Sequence, residues 1–533
     1  MNNPTVQLKA RIIDISSQPI SWIVLLALAV RIYACLSSHI INPDGIHYIY
    51  QARAIFFGEW DNIAACTMKS ISILPVFIAS AFAIVRDWIT AGQVVSVCFG
   101  TATLLPLYFT LKRFMSKSTS LLTVLLYALM PVMVNRSANV VRGPIFWFFL
   151  SLGIFYFIRQ MDEEKQRNGF RGDLYLSCIC LLIATWTRME GIYAIFVSGA
   201  YILIANCQRK MMRFLAFSTP ILLILIAGAI GFATVDALAA HHLRLDRLAK
   251  ELTQFVPVYH SLRDLLKELI VQSDGWKAEF FHQVRTLVWF MPLSIIFNSV
   301  WESFFYPYAL VYAIGFIGLR RRLKQDRRIG YFLWLSVFSI VVLYIHLLQT
   351  WLIHHRFMVI LILPSCILVG FGIDNIVRYL QHRFEWSAGK TAKVMIALIV
   401  LVALPKALVP RELDKAIFEK AGQIIAQQKD DNQTEPIMGA CSTVYEWVYF
   451  YAHRDYPGTW CASGLCGEIP SKYRSLVAKL RKTETRYLLY EEKKWPKETF
   501  DLMRAPYQAD FDIVGRWRHR DTGDLILFKL RNE

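Results

Sequence analysis

Apolar runs punctuated by short polar segments fill the first three quarters of the chain. A helix that crosses a bilayer needs about 20 mostly apolar residues, and shorter runs are tolerated. Runs at 20–38, 91–111, 121–136, 140–158, 174–187, 189–206, 214–232, 303–318, 330–347, 357–373 and 394–408 meet that condition. They predict an α-helical polytopic membrane protein with about 11 crossings. Two further apolar stretches, 70–86 and 287–300, need another criterion. Basic residues supply it, because short cytoplasmic loops are enriched in Lys and Arg. Clusters stand at Lys9/Arg11, Lys112/Arg113/Lys117, Arg159/Lys165/Arg167/Arg171, Arg209/Lys210/Arg213, Arg320 through Arg328, and Arg378/Arg383/Lys390/Lys393. The eleven runs put all six segments on one side. Counting either extra stretch as a crossing breaks the alternation, so both are expected as juxtamembrane or re-entrant helices on the outer face.

This pattern divides the chain. Residues 1–408 form the multi-span part, with outer loops at 39–90 and 233–302, the second containing the amphipathic run Leu243 to Ile270. From Val409 the texture changes. Short β-rich runs (436–442, 486–492, 511–517, 524–530) alternate with helical patterns, which predicts a small α/β domain over 409–533. The same alternation puts the N-terminus in the cytoplasm and this domain outside it, in a periplasm or its equivalent. The expected location is a bacterial inner membrane or a plasma membrane. The first run, 20–38, is too long for a leader's apolar region and reads as a retained span.

Composition sharpens this picture in two places. With 55% hydrophobic and only 18% charged residues, the 533-residue chain falls short of the charge of a soluble domain. The net charge of +18 could suggest a nucleic-acid partner. The Lys and Arg residues lie in short loops between apolar runs, however, so the membrane accounts for them and no nucleic-acid partner is expected. Of the ten cysteines, Cys441, Cys461 and Cys466 fall in the polar tail, where an oxidising compartment would permit a disulfide whose pairing sequence does not give. No metal-ligand spacing, P-loop or dinucleotide fingerprint occurs. The sequence indicates no cofactor, and whether a divalent metal takes part is left open.

Chemistry concentrates on the first outer loop, Asn42-Pro43-Asp44-Gly45-Ile46-His47-Tyr48 and onward to Arg53 and Gly58. Asp44 follows the first span closely and opens a helix. An acid there suits an N-cap, and it equally suits a general base at the membrane surface. Arg53, Lys69, Arg142, Arg188 and Arg356 fall near outer span ends, where basic residues are scarce. They could grip a phosphate through charge-assisted hydrogen bonds or simply snorkel to lipid headgroups.

Taken in order, these motifs resemble those of the GT-C glycosyltransferases, in particular the protein O-mannosyltransferase and lipid A aminoarabinose transferase branch. Asp44, Tyr48, Ala52 and Gly58 match that branch's first-loop pattern. Lys69 with Pro75 looks like a degenerate form of the basic-proline motif that follows it. Thr187-Arg188-Met189-Glu190-Gly191 is similar to a Thr-Arg-Pro-Glu-Gly turn, and His354-His355-Arg356-Phe357 to a motif that opens a late span. One departure is Gly45, which stands where many members carry a second acid. The likeness covers roughly 20–375 and leaves the tail without a counterpart.

The resemblance implies an inverting transferase that moves a sugar from a polyprenyl-phosphate-linked donor to a lipid, glycan or protein acceptor. Asp44 would be the general base. Lys69, Arg356, Arg188 and Arg53 would meet the donor phosphate, with Tyr48, His47, Glu190 and His355 lining the pocket. A surface-polysaccharide polymerase or ligase is a close rival, kept open by loop 233–302. A lipid-linked-sugar flippase or transporter fits less well, since the spans are almost free of acids and no repeat is visible. A non-catalytic scaffold would leave the Asp44 loop unexplained.

Overall fold

The computed structural model describes residues 18–60, 63, 72–162, 172–204, 209–234, 253–428, 437–455, 465–467, 469–496, 500–504 and 507–531. It is a polytopic α-helical membrane protein with a small C-terminal sheet. Among the described residues six helices are long and apolar enough to cross a membrane: Pro19–Leu36, Trp88–Leu111, Gly143–Met161, Lys210–Ala227, Ile329–Thr350 and Ala388–Ala407. Two bent pairs raise this to eight. The other five expected crossings are realised as shorter or interrupted helices, including Gly172–Thr187, the eight-residue Pro307–Ile314, and Val359–Ile362 followed by Cys366–Phe384. Of the two extra stretches, one is the 13-residue helix Ile73–Val85. The other lies in the pair Trp276–Leu287 and Met291–Ser303, bent by 76° at a break that precedes Pro292.

The packing separates into two compact units. The first comprises 1–34, 96–138 and 142–409 and holds most of the apolar helices. Its breaks have identifiable causes. Proline has no N–H to continue a helical ladder, and Lys117–Leu129 gives way to Pro131–Ser137 at an angle of 56°. The Ala128 carbonyl at that break accepts from Arg31, a fully buried cation of the first span, at 3.0 Å.

A second break lies at Pro364 and matters more for function. In a regular helix the Ile360 carbonyl would accept from the N–H of residue 364, which proline lacks. Tyr193 Oη at 3.0 Å and Ser339 Oγ at 2.8 Å donate to that carbonyl instead, and Tyr127 Oη donates to the Ile362 carbonyl at 2.7 Å. Side chains from neighbouring helices thus replace the missing backbone partners, as a low-dielectric interior demands. The segment that begins at His354 is thereby tied to three other helices.

The second unit comprises 35–95, 139–141 and 410–533. The first outer loop therefore folds together with the C-terminal tail. Among the described residues five strands form one sheet: β1 (Ile437–Gly439), β2 (Leu465–Cys466), β3 (Tyr487–Glu491), β4 (Phe511–His519) and β5 (Gly523–Leu530). Their order is β2-β1-β3-β5-β4, with β1 parallel to β2 and β3, and β5 antiparallel to β3 and β4. Met438, Leu476, Leu480, Leu488, Ile526 and Phe528 fill a core beneath it. Cys441, just after β1, is disulfide-bonded.

The helix Thr443–Ala452 docks on the loop. Trp447 Nε1 donates to the Ile41 carbonyl at 2.8 Å, and the Ile41 N–H donates to Tyr451 Oη at 3.0 Å. Phe450 meets Tyr50 edge-on, with ring centroids 5.9 Å apart. Arg454 pairs with Asp87 at 2.9 Å, while its carbonyl accepts from Arg53 at 2.6 Å. Burial acts most strongly on the Asp87 carboxyl and raises its pKa. The Thr90 hydrogen bonds and Arg454 together outweigh that effect and leave it below the usual carboxylate range.

Candidate functional site

Two clusters of sequence-predicted residues emerge, one in each unit. The cluster of the second unit is built on the helix Pro43–Phe57. Asn42 is its N-cap residue, without a side-chain capping bond, and Pro43 opens it. Asp44 is thus the second helical residue and not the cap. A carboxylate there faces the positive end of the helix dipole, and the residue is half-buried. The spacing that carried the resemblance has plain structural reasons. Tyr48 and Ala52, one turn apart, are buried at 2% and 0% exposure. Gly58 ends the helix at φ 75°, where L side chains are strained.

Gly45 also has a physical reason. A Cβ added there would lie 3.0 Å from both the Val140 Cβ and the Asn42 Oδ1. A side chain beside Asp44 at this position would therefore need Val140 and Asn42 to give by a few tenths of an ångström. His47 lies one turn after Asp44, and its Nε2 is 3.8 Å from the Glu446 Oε2 of the docked helix. Arg53, expected near a phosphate, is 1% exposed and buried against the tail, with its guanidinium 5.6 Å over the Trp88 ring and one N–H spent on the Arg454 carbonyl. Its place is in the docking interface. Lys69 lies outside the described residues.

The first unit holds the other cluster. Arg188, at the short turn Met189–Gly191 between two apolar helices, pairs with Glu190 at 2.7 Å. Its Nη1 donates to the Arg356 carbonyl at 3.1 Å, and its guanidinium lies 5.1 Å over the Phe357 ring. The Arg356 guanidinium lies 5.2 Å over the same ring. His355 Nδ1 is 3.0 Å from Ser303 Oγ, and its Nε2 is 3.7 Å from Glu302. Arg188, with its partner Glu190, and Arg356, read from two separate motifs, are thus brought together at Phe357, while the neighbouring His355 faces Glu302 and Ser303. This half-buried centre, with two guanidiniums sharing one aromatic ring, can bind an anionic group. Among the described residues no three His, Cys, Asp or Glu side chains are arranged to hold a metal ion.

Sequence reasoning missed Glu302, Ser303, Glu446 and the buried Arg31. Only Arg31 left a signal, as a lone cation inside an apolar run. Glu302 and Ser303 approach His355 from 52 or 53 residues away, and Glu446 approaches His47 across 399.

Comparisons with known proteins bear on the fold. The family described as dolichyl-phosphate-mannose-protein mannosyltransferase matches residues 72–232. Among solved structures, apo ArnT from Cupriavidus metallidurans superposes with a TM-score of 0.56 at 13% identity, over 96% of this chain and 97% of that one. The chain carries the GT-C glycosyltransferase fold. The Archaeoglobus fulgidus oligosaccharyltransferase tethered to an acceptor peptide with an NVT sequon shares this GT-C fold, with a TM-score of 0.54 at 10% identity over 97% of this chain and 74% of that one. The same archaeal enzyme, AglB, in complex with an inhibitory peptide and a dolichol-phosphate, gives 0.50 at 11% identity over the same shares. No curated protein sequence matches significantly. The family match to this GT-C chain includes Arg142, Arg188 and Glu190 and does not extend to Asp44, His355 or Arg356.

Proposed function

We propose that this GT-C protein is an inverting glycosyltransferase that takes a sugar from a polyprenyl-phosphate-linked donor and passes it to an acceptor at the outer membrane face. The observation that carries the proposal is Asp44, held in the first turn of a helix that the tail locks in place, within a fold shared with lipid-phosphate-dependent transferases. Asp44 removes the proton of the acceptor hydroxyl or amine as that group attacks the anomeric carbon. The bond to the phosphate breaks on the opposite face of the sugar, and the lipid phosphate leaves with the electron pair. Arg356 and Arg188 carry the charge of the donor phosphate, and Lys69 is assigned to the same task from its motif. The complex of AglB with a dolichol-phosphate and the peptide tethered to the archaeal enzyme support a lipid-phosphate donor and a separate acceptor.

Purified protein in nanodiscs, given radiolabelled polyprenyl-phosphate hexoses and pentoses with membrane extract as acceptor source, should transfer label from at least one donor. No transfer from any of them, with the protein folded and donor bound, would end the proposal.

The outward orientation of the tail rests on the alternation of basic segments and gains support from the disulfide at Cys441, since such bonds persist in oxidising compartments. Alkaline phosphatase fused after Glu533 should be active and green fluorescent protein fused there dark. Fluorescence without phosphatase activity would reverse the topology.

A further inference from the structure

The C-terminal domain does more than cover the first loop. On the helix Thr443–Ala452 and the turn after it, Glu446, Trp447, Phe450, Tyr451 and Arg454 follow the spacing of one helical face. Four of these make the docking contacts described above. Glu446 takes no part in those contacts. Its carboxylate faces His47 at 3.8 Å, with side-chain exposures of 35% for Glu446 and 15% for His47. His47 in turn lies three residues after Asp44, on the same side of its helix. A pair of fully exposed charges at this distance contributes little. Here the two helices are held together by buried contacts of their neighbours, which keeps the carboxylate within reach of the ring.

We propose that Glu446 is a positioning residue of the loop site, acting through His47. The tail thereby brings a second acidic side chain to the neighbourhood of Asp44, where the next residue along the loop is Gly45. Glu446 holds the imidazole so that it presents a fixed hydrogen-bonding edge to the acceptor beside Asp44. The inference rests on the glycosyl-transfer reading and extends it to acceptor recognition by a residue of the C-terminal domain.

The test uses full-length protein in nanodiscs with whichever radiolabelled polyprenyl-phosphate hexose or pentose gives transfer in the assay above. Glu446→Gln should lower kcat or raise the acceptor KM about tenfold, the weight of one charge-assisted contact, with donor KM and melting temperature unchanged. Glu446→Asp should recover part of the loss. The decisive comparison is the double variant Glu446→Gln/His47→Ala. If Glu446 acts through His47, the double variant transfers no more slowly than His47→Ala alone. Full activity of Glu446→Gln overturns the proposal, as does a double-variant loss equal to the product of the single losses. A melting temperature that falls along with activity, and stays low in Glu446→Asp, would make the residue structural and also overturn it. Asp44→Asn, run in parallel, reports separately on the base. Activity retained there with loss in Glu446→Gln would remove the base assignment while leaving the pair in place.

Discussion

Asp44→Asn should leave the protein folded and abolish sugar transfer. The position of the residue separates these two effects. Because Asn42 and not Asp44 is the helix cap, the substitution removes no capping bond. It removes one negative charge from the first turn of the helix, where its interaction with the dipole is worth about 0.3–1 kcal/mol. The loop helix keeps its docking to Tyr451, Trp447 and Arg454, so expression and melting should stay close to wild type. Asn cannot accept the acceptor's proton, and loss of a general base costs about 10²- to 10⁴-fold in rate. Asp44→Glu should also be impaired, since one more methylene moves the carboxylate from its place. The measurement is initial rate with saturating lipid-linked donor. Transfer by the Asn variant at the wild-type rate would remove Asp44 from the mechanism.

The second large effect is expected in donor binding. Arg356→Ala should weaken donor affinity roughly tenfold to a hundredfold, the equivalent of about 1.5–3 kcal/mol for a charge-assisted contact. The backbone carbonyl of Arg356, which receives the Arg188 hydrogen bond, survives this truncation. Arg188 also keeps its place over Phe357, so the Glu190 turn should stand. Arg188→Ala should behave differently. It removes the guanidinium that pairs with the Glu190 carboxylate and deprives the Arg356 carbonyl of a donor, so stability falls together with affinity, by about 1–3 kcal/mol. Titration of each variant with a polyprenyl phosphate, alongside thermal melting, distinguishes the two. Unchanged donor affinity in a folded Arg356→Ala protein would assign that side chain to headgroup contact.

How much was legible in the sequence depended on the range of the interaction involved. Apolar runs and basic segments report on a local property, solvation by lipid or water, and they led directly to a polytopic helical protein with a small C-terminal sheet; that the first loop folds with the tail was not legible in them. Pattern alone could not give helix lengths. The run at 303–318 became an eight-residue helix preceded by Phe305 at φ 59°, and the run at 357–373 broke at Pro364. Asp44, Arg188, Glu190, His355 and Arg356 were visible as candidates because each sits in a short motif. Arg53 looked equivalent to them in sequence, since both a buried and a lipid-facing arginine leave the same mark near a span end. Only the packing of Trp88 and the Arg454 carbonyl against it revealed its place. Glu446 carried no signal, because nothing local to residues 440–450 hints at a histidine nearly 400 positions earlier.

The union of the first loop with the tail also sets a schedule for synthesis. Ile41 hydrogen-bonds to Trp447 and Tyr451, partners 406 and 410 residues further along. At about 5–20 residues per second, the ribosome reaches them roughly 20–80 s after the loop itself is made. For that interval the loop helix is already outside the membrane by the proposed topology, with the surface that will receive Trp447, Phe450 and Tyr451 still bare. The candidate general base is thus made about 400 residues before the side chains that complete its surroundings. Completion of this unit therefore waits for residues 447 and 451, after the membrane helices that precede them have been made.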